Sequence, residues 1–168
     1  MIHQQTLLPH PYMQSSVQVV LPKAKGGIRK TSNQTIATLS TAFVAVTNYD
    51  VPLYPTSSGV TVNLVAGTVT AAKAGDYLII ANLDATCTSD NNAGRTVTVQ
   101  AWDAVANTAM PNAEVKVFVG AYAAGFQASV SIPFTAAADN KSIVMKINAV
   151  ANISNVVILS AVIALLGV

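Results

Sequence analysis

The sequence predicts an all-β protein, an antiparallel sandwich or closed barrel of eight to ten strands. Apolar and polar residues alternate with a period of two through most of residues 42–168, which puts successive side chains on opposite faces of a strand. Turn signals separate these runs at short intervals. The Ala-rich pieces lie beside turns and are too short to nucleate a helix.

The alternating runs define the strands in chain order. Strands are expected at 42–47, 60–64, 77–83, 96–101, 114–119, 126–134 and 156–166, with further short ones between them. In the clearest run, one face carries Phe126, Ala128, Val130, Ile132 and Phe134. Turns are expected at 55–59, 66–67, 74–75, 90–94, 107–112, 120–125 and 138–141.

Two strands, 77–83 and 156–166, are apolar on both faces. A sandwich strand of this kind needs a cover for its second face, either a loop or arm of the same chain or another subunit. Because both strands share the feature, the sequence favours a subunit interface. The expected interface residues are Leu78, Ile80, Val156, Ile158, Val162, Ala164 and Leu166.

Residues 1–41 are predicted to be an extended N-terminal arm that precedes a sandwich domain at 42–168. The arm carries four bases and no acid, and its prolines and polar runs disfavour a helix. The basic run fits contact with nucleic-acid phosphates, docking on an acidic protein surface, or plain solvation. It lacks interleaved aromatic residues, so no nucleic-acid partner is predicted. The residues expected to dock on a partner are Val17, Val19, Leu21, Lys23, Lys25, Arg29 and Lys30.

The composition indicates a surface that is largely covered. Of the 168 residues, 52% are hydrophobic and only 10% are charged, against about 25% charged in ordinary soluble domains. A membrane protein and a subunit of an assembly both fit this composition. The apolar tail at 156–168 is shorter than the roughly 20 residues of a spanning helix, so no membrane partner is predicted.

No group of residues predicts catalysis, and no cofactor or metal is expected. His3 and His10 lie in the arm, where a fixed catalytic geometry is hard to maintain. Cys87 continues an apolar alternation and is expected to be a small buried hydrophobe. Asp90, Asn91 and Asn92 offer oxygens to a calcium ion, but three such residues before Gly94 are typical of a turn. The sequence therefore favours a protein that is not an enzyme.

The segment from Gly67 to Tyr77 resembles the trimeric jelly roll of the tumour necrosis factor and complement globular-head superfamily. Gly67, Thr70, Gly75 and Tyr77 match the motif that opens the family's long central strand, while Val69 replaces an aromatic residue and Ala72 a proline. Residues 42–47 are similar to the family's first strand and 160–166 to its last. The resemblance implies an antiparallel jelly-roll sandwich and a homotrimer.

Small chains of this composition, with an N-terminal arm, resemble bacteriophage head-decoration (cement) proteins and fibre heads. The function predicted is therefore a structural virion protein, a homotrimeric capsid decoration protein on the outer capsid surface. Its partners are other copies of itself and the major capsid protein or other virion subunits. The alternatives are a fibre-head or adhesin module that binds a host receptor through loops 88–94 and 103–112, and a membrane-tethered protein.

Overall fold

The computed structural model describes residues 24–54, 59–88, 94–120 and 125–168. These residues form twelve strands and no helix. The strands are β1 (Lys25–Lys30), β2 (Gln34–Leu39), β3 (Val44–Ala45), β4 (Val51–Pro52), β5 (Val60–Asn63), β6 (Thr68–Ala71), β7 (Gly75–Thr88), β8 (Arg95–Asp103), β9 (Thr108–Val119), β10 (Gly125–Ala136), β11 (Lys141–Ala149) and β12 (Ile153–Gly167).

The strands form two antiparallel sheets, as the alternation predicts. The first sheet has the order β10-β7-β12-β1-β4, with β2 also paired to β12. The second has the order β5-β6-β11-β8-β9, with β3 also paired to β11. Between β6 and β12 the chain crosses from one sheet to the other at most connections. This is the jelly-roll sandwich expected from the sequence.

The core lies between the two sheets and is built from the apolar phase of each alternation. In the first sheet Ile79, Ile163 and Leu165 are completely buried, and in the second Val99, Ile143 and Met145 are. The phase predicted for 126–134 is confirmed, since Phe126, Ala128 and Val130 are buried while the residues between them are exposed. Residues of one phase of the alternation therefore lie in the core, and residues of the other phase lie at the surface.

The sandwich also takes in residues 24–41, which the sequence assigned to the arm. Strand β1 pairs with β12 over six residues, and β2 pairs with the earlier part of β12. Ile28 and Leu39 are completely buried in the core. Most polar residues of these two strands lie on the solvent-facing phase, and the buried Lys30 is the exception. An arm at 1–23 stays a prediction, because those residues lie outside the described ranges.

Two glycines explain the motif at 67–77. Gly67 has a φ of 68°, and a β-carbon there would lie 2.3 Å from the Val46 carbonyl oxygen and 2.9 Å from the Tyr49 ring. Gly75 has a φ of 153° at the start of β7. Two residues later, the buried Tyr77 hydroxyl donates to the Lys73 carbonyl at 2.9 Å and holds the turn against the strand.

The segment predicted as a turn at 107–112 is only partly one. The turn ends at Asn107, and β9 starts at Thr108 with an irregularity opposite the β8 residues between Gln100 and Trp102. Asn112 has a φ of 56° there, which an asparagine accepts more readily than most residues. A bulge within a strand and a turn use the same residue types, so the sequence did not separate them.

The apolar tail at 156–168 lies in β12, at the centre of the first sheet. It is a strand paired on both sides, with β7 on one side and β1 and β2 on the other. No helix in the described ranges is long and apolar enough to cross a membrane.

Candidate interface on the outer face of the first sheet

An apolar patch lies on the outer face of the first sheet, where β7 and β12 run side by side. Leu78 pairs with Leu166, Ile80 pairs with Ala164, and Val162 lies next along β12. Their chain neighbours Ile79, Ile163 and Leu165 fill the core, so these five side chains point away from it. All except Ala164 are half-buried in the single chain, so part of each apolar side chain faces solvent. We call Leu78, Ile80, Val162, Ala164 and Leu166 the apolar patch.

Val156 and Ile158 do not belong to this patch, although the sequence put them on the same face. Both are completely buried in the sandwich core of the single chain. Ile158 pairs with Ala85 and Ser160 with Asp84, so Leu159 is an extra residue that reverses the alternation. A second shift lies beside Asn155, which has a φ of 50°. The prediction of one continuous face over 156–166 is therefore wrong at its start.

Strand β1 borders the patch on one side. Gly27 lies opposite Ala164, and a β-carbon on Gly27 would be 2.7 Å from that of Ala164. Lys25 and Arg29 flank Gly27 on the same face and are exposed. The Lys25 ammonium lies 5.3 Å from the centre of the Tyr54 ring. The apolar patch thus has a basic edge.

A polar hollow of about 400 Å³ continues the same face beyond Val162. Its polar lining consists of Asn82, Asp84, Gln127, Ser129 and Ser160. The Ser129 hydroxyl donates to Asn82 Oδ1 at 2.6 Å. The half-buried Asp84 side chain has no hydrogen-bond or ion-pair partner within the described part of the chain. The Asp84 carboxylate is therefore an acceptor in the hollow that nothing in the described part of the chain uses.

The predicted docking residues separate into three groups. Val17, Val19, Leu21 and Lys23 lie outside the described residues, as do His3, His10 and Asp90. Lys25 and Arg29 are at the surface of β1. Lys30 is 1% exposed, and its ammonium donates to the Thr47 and Asn48 carbonyls at 3.1 and 2.8 Å, so it cannot meet a partner. The side chain of Lys30 points into the sandwich because it has the same phase on β1 as Ile28.

Burial disfavours the charged form of Lys30 and lowers its pKa, although the negative charge of Asp50 partly offsets this effect. Asp50 is itself held by backbone donors, with Thr31 N at 2.9 Å and Ser32 N at 2.7 Å. The tip of β1 is therefore fixed by local polar contacts inside the domain. These contacts are structural and do not form an open site.

An aromatic cluster on the outer face of the second sheet was not foreseen. The Trp102 side chain is half-buried, and its ring lies 5.0 Å from that of Phe43. The Lys146 ammonium is 4.1 Å from the Trp102 ring centre, and Trp102 Nε1 donates to Gln100 Oε1 at 3.2 Å. The sequence contained a signal for this position. Trp102 has the same phase along β8 as the polar residues Thr98 and Gln100, so its side chain points away from the core.

A second cavity, of about 340 Å³, lies where β9 and β10 approach at one end of the sandwich. Met110, Pro111 and Phe134 line its apolar part. Its polar end is the ion pair between Lys141 and the buried Asp103 carboxylate. Burial alone would raise the pKa of Asp103, but hydrogen bonds from Lys141, Ala106 and Val105 lower it below its usual value. These contacts satisfy the hydrogen-bonding capacity of the Asp103 carboxylate.

Cys87 and the charged residues on the outer face of β9 have plain structural surroundings. Cys87 is buried, and burial raises the pKa of its thiol, which disfavours the reactive thiolate. Glu114 and Lys116 form an exposed ion pair at 3.0 Å on β9, as expected for a solvated strand face.

No family model and no curated protein sequence matches the chain. Solved structures do match it at low identity. Murine APRIL at pH 8.0 superposes with a TM-score of 0.53 at 11% identity, covering 86% of this chain and 99% of that one. Eiger TNF from S. frugiperda gives 0.52 at 10%, covering 88% and 94%. PRD1 vertex protein P5 gives 0.47 at 16%, covering 86% and 96%. The matches to APRIL and Eiger show that the sandwich around the apolar patch has the jelly-roll fold of the tumour necrosis factor type.

Proposed function

We propose that the chain is a non-catalytic structural protein of a bacteriophage particle, a homotrimer that decorates or cements the outer capsid surface. The observation that carries the proposal is the apolar patch, which lies at the middle of a sheet in a chain with only 10% charged residues. Contiguous apolar surface on a folded domain usually belongs to an interface.

Self-association is the simplest cover for the patch. The patch spans two central strands and has polar or basic residues on both sides, as an interface core has a polar rim. On the β10 side, Ser131 lies opposite Ile80, and on the β1 side Arg29 lies opposite Val162. A domain with so few charges loses little solvation when that face is buried against another copy.

Docking on a shell is assigned to the N-terminal segment 1–23 together with Lys25. The described part of the chain begins at Ala24, whose carbonyl accepts from Gly167 N at 2.5 Å, so the residue to which the segment is joined lies beside the end of β12. Val17 and Val19 flank Gln18, and an alternating run of this kind can pair with a sheet edge of a capsid subunit. Lys23 and Lys25 add an attraction to an acidic surface that salt would screen.

Two measurements on the whole chain test the proposal. Sedimentation velocity at micromolar concentration should give a trimer, and a monomer at that concentration would contradict the assembly. Electron microscopy of purified particles, with the protein labelled, should show many regularly spaced copies on the shell. A protein found only in the host cell and absent from particles would end the virion role.

The second candidate is a fibre-head or adhesin module, favoured by the cluster of Phe43, Trp102 and Lys146. Half-buried aromatic rings beside hydrogen-bonding side chains are common in binding surfaces. Asn107, in the turn of the 103–112 loop, accepts from the Lys146 ammonium at 2.5 Å and so ties this loop to the cluster. A few copies at a vertex or tail, with adsorption reduced by Trp102→Ala, would support this candidate over decoration.

A further inference from the structure

The charged side chains of the described residues are almost all paired within the chain. Lys73, Lys116 and Lys141 form ion pairs with Asp139, Glu114 and Asp103. Of the remaining acids in this part of the chain, Asp50 accepts backbone hydrogen bonds and Asp76 accepts one from the Thr135 hydroxyl at 2.7 Å. Asp84 is the one acidic side chain left without a partner among the residues the structure describes.

Among the basic side chains of the described residues, one has no partner. Lys30 is held by two carbonyls, Lys25 lies near Tyr54, and Lys146 lies over Trp102. Arg95 donates to the Gly94 carbonyl at 3.3 Å. Arg29 is exposed, and its guanidinium has no side-chain or carbonyl partner in the described ranges. The unpartnered base and the unpartnered acid therefore have opposite signs.

Both residues lie on the face that carries the apolar patch. Arg29 pairs with Val162, Val162 pairs with Asn82, and Asp84 follows Asn82 by two residues on β7. Strand spacings of about 4.8 Å put the two α-carbons roughly 12 Å apart in one chain, with Val162 and Asn82 between them. Arg29 lies on β1, beside the short edge strand β4, and Asp84 lies two strands away on β7, within the hollow.

We infer that Arg29 of one copy enters the polar hollow of the neighbouring copy and pairs there with Asp84. This inference rests on the homotrimer proposed above. In a closed ring each subunit presents one surface to the next and receives a different one, so the surface that carries Arg29 can meet the surface that carries Asp84. The planar guanidinium has five donors, and the hollow offers the Asp84 carboxylate with the oxygens of Asn82, Gln127 and Ser160.

The ion pair also offsets an unfavourable desolvation energy that arises when the trimer forms. Covering the apolar patch desolvates the adjacent hollow, and a desolvated carboxylate without a partner is strongly unfavourable. A cation supplied by the neighbouring copy removes that penalty. It also determines which surface of one copy contacts which surface of the next. The contact therefore sets the orientation of the subunits, while the apolar patch supplies the contact area.

Charge reversal of the full-length chain tests the inference by sedimentation equilibrium. Arg29→Glu and Asp84→Arg should each weaken trimer formation about tenfold or more. The double variant, Arg29→Glu with Asp84→Arg, should recover to within about threefold of the wild type, because the pair is restored with its signs exchanged. The matched control is Lys116→Glu, which makes the same change in charge on the outer face of the second sheet and should not alter assembly.

Each outcome points to one conclusion. Unaltered assembly of both single variants, or a double variant no better than the weaker single one, overturns the Arg29–Asp84 contact while leaving the trimer intact. A wild-type chain that sediments as a monomer overturns the trimer itself. Circular dichroism identifies a variant that has not folded. In that event Arg29→Gln and Asp84→Asn, which remove each charge and keep a polar side chain, are measured and should weaken assembly by roughly threefold or more.

Discussion

Gly27 and Ala164 face each other across β1 and β12, so closely that a β-carbon on Gly27 would lie 2.7 Å from that of Ala164 and 3.0 Å from the Ile163 carbonyl oxygen. The contact joins a strand that the sequence placed in the arm to the central strand of the sandwich. It also lies at the border between β1 and the apolar patch.

Gly27→Val should destabilise the domain by about 1–3 kcal/mol, because the added side chain has no room between β1 and β12. Urea unfolding followed by circular dichroism measures the loss. Gly120→Val is the matched control, since no atom of the described residues lies within 4 Å of a β-carbon at Gly120, and it should change stability by less than about 0.5 kcal/mol. Equal effects at the two positions would mean that the close approach is not what limits residue 27.

Val162→Asp should dissociate the trimer and leave the monomer folded. A charge in the covered patch has no partner and should cost about 3 kcal/mol or more, roughly a hundredfold in the dissociation constant. Ile158→Asp should instead unfold the domain, because Ile158 is completely buried in the core. Thr61→Asp, on an exposed position of β5, is the control and should change neither property. A folded trimer of Val162→Asp would place the interface on another face.

Removal of residues 1–23 should leave a folded sandwich that no longer docks on its particle. Removal of 1–41 also takes away β1 and β2, exposes the edge of β12 and the core behind it, and should give an unfolded or aggregating chain. Thermal unfolding and co-sedimentation with particles lacking the protein separate the two effects. Wild-type docking by the 24–168 chain would move the docking contact onto the jelly roll.

The buried ammonium of Lys30 should make stability depend on alkaline pH. Its pKa in the folded chain is lowered from 10.5, so between that lowered value and 10.5 the unfolded chain binds more protons than the folded one. Stability should therefore rise with pH across this window. Burial raises the pKa of Tyr49, which acts in the opposite direction above about pH 10.

The variant Lys30→Met isolates the lysine contribution, since Tyr49 is common to both chains. Urea unfolding at several pH values between about 8 and 10.5 should show a free energy of unfolding that rises less steeply in the variant than in the wild type. Identical slopes would mean that Lys30 is as well solvated in the folded chain as in the unfolded one.

Asp103→Asn should lower stability at neutral pH by about 1–3 kcal/mol, because a buried charged acceptor with three donors is lost. The pKa of Asp103 is lowered in the folded chain, so its contribution is present above about pH 4 and disappears as pH falls through the folded value. The variant should therefore show a weaker loss of stability on acidification. Glu114→Gln, at an exposed ion pair, should change stability by less than about 0.5 kcal/mol.

The sequence by itself determined the all-β class, the sandwich, most strand positions and the existence of a second apolar face on β7 and β12. These follow from period two, because the alternation of side chains across a strand depends only on the local backbone. The turns at Gly67 and Gly75 were equally local, and the motif around them correctly indicated the tumour necrosis factor type of jelly roll.

Only the tertiary structure decided which residues share the patch and which charges are left unpaired. The extra residue at Leu159 reversed the alternation and sent Ile158 into the core, because a bulge depends on the partner strand as well as on its own sequence. In the sequence, Lys30 cannot be distinguished from its neighbours Lys25 and Arg29. The pairing of β1 with β12 places the Lys30 side chain inside the sandwich. The convergence of Arg29 and Asp84 on one face came from β1 and β7 both flanking β12, a long-range pairing that no local pattern specifies.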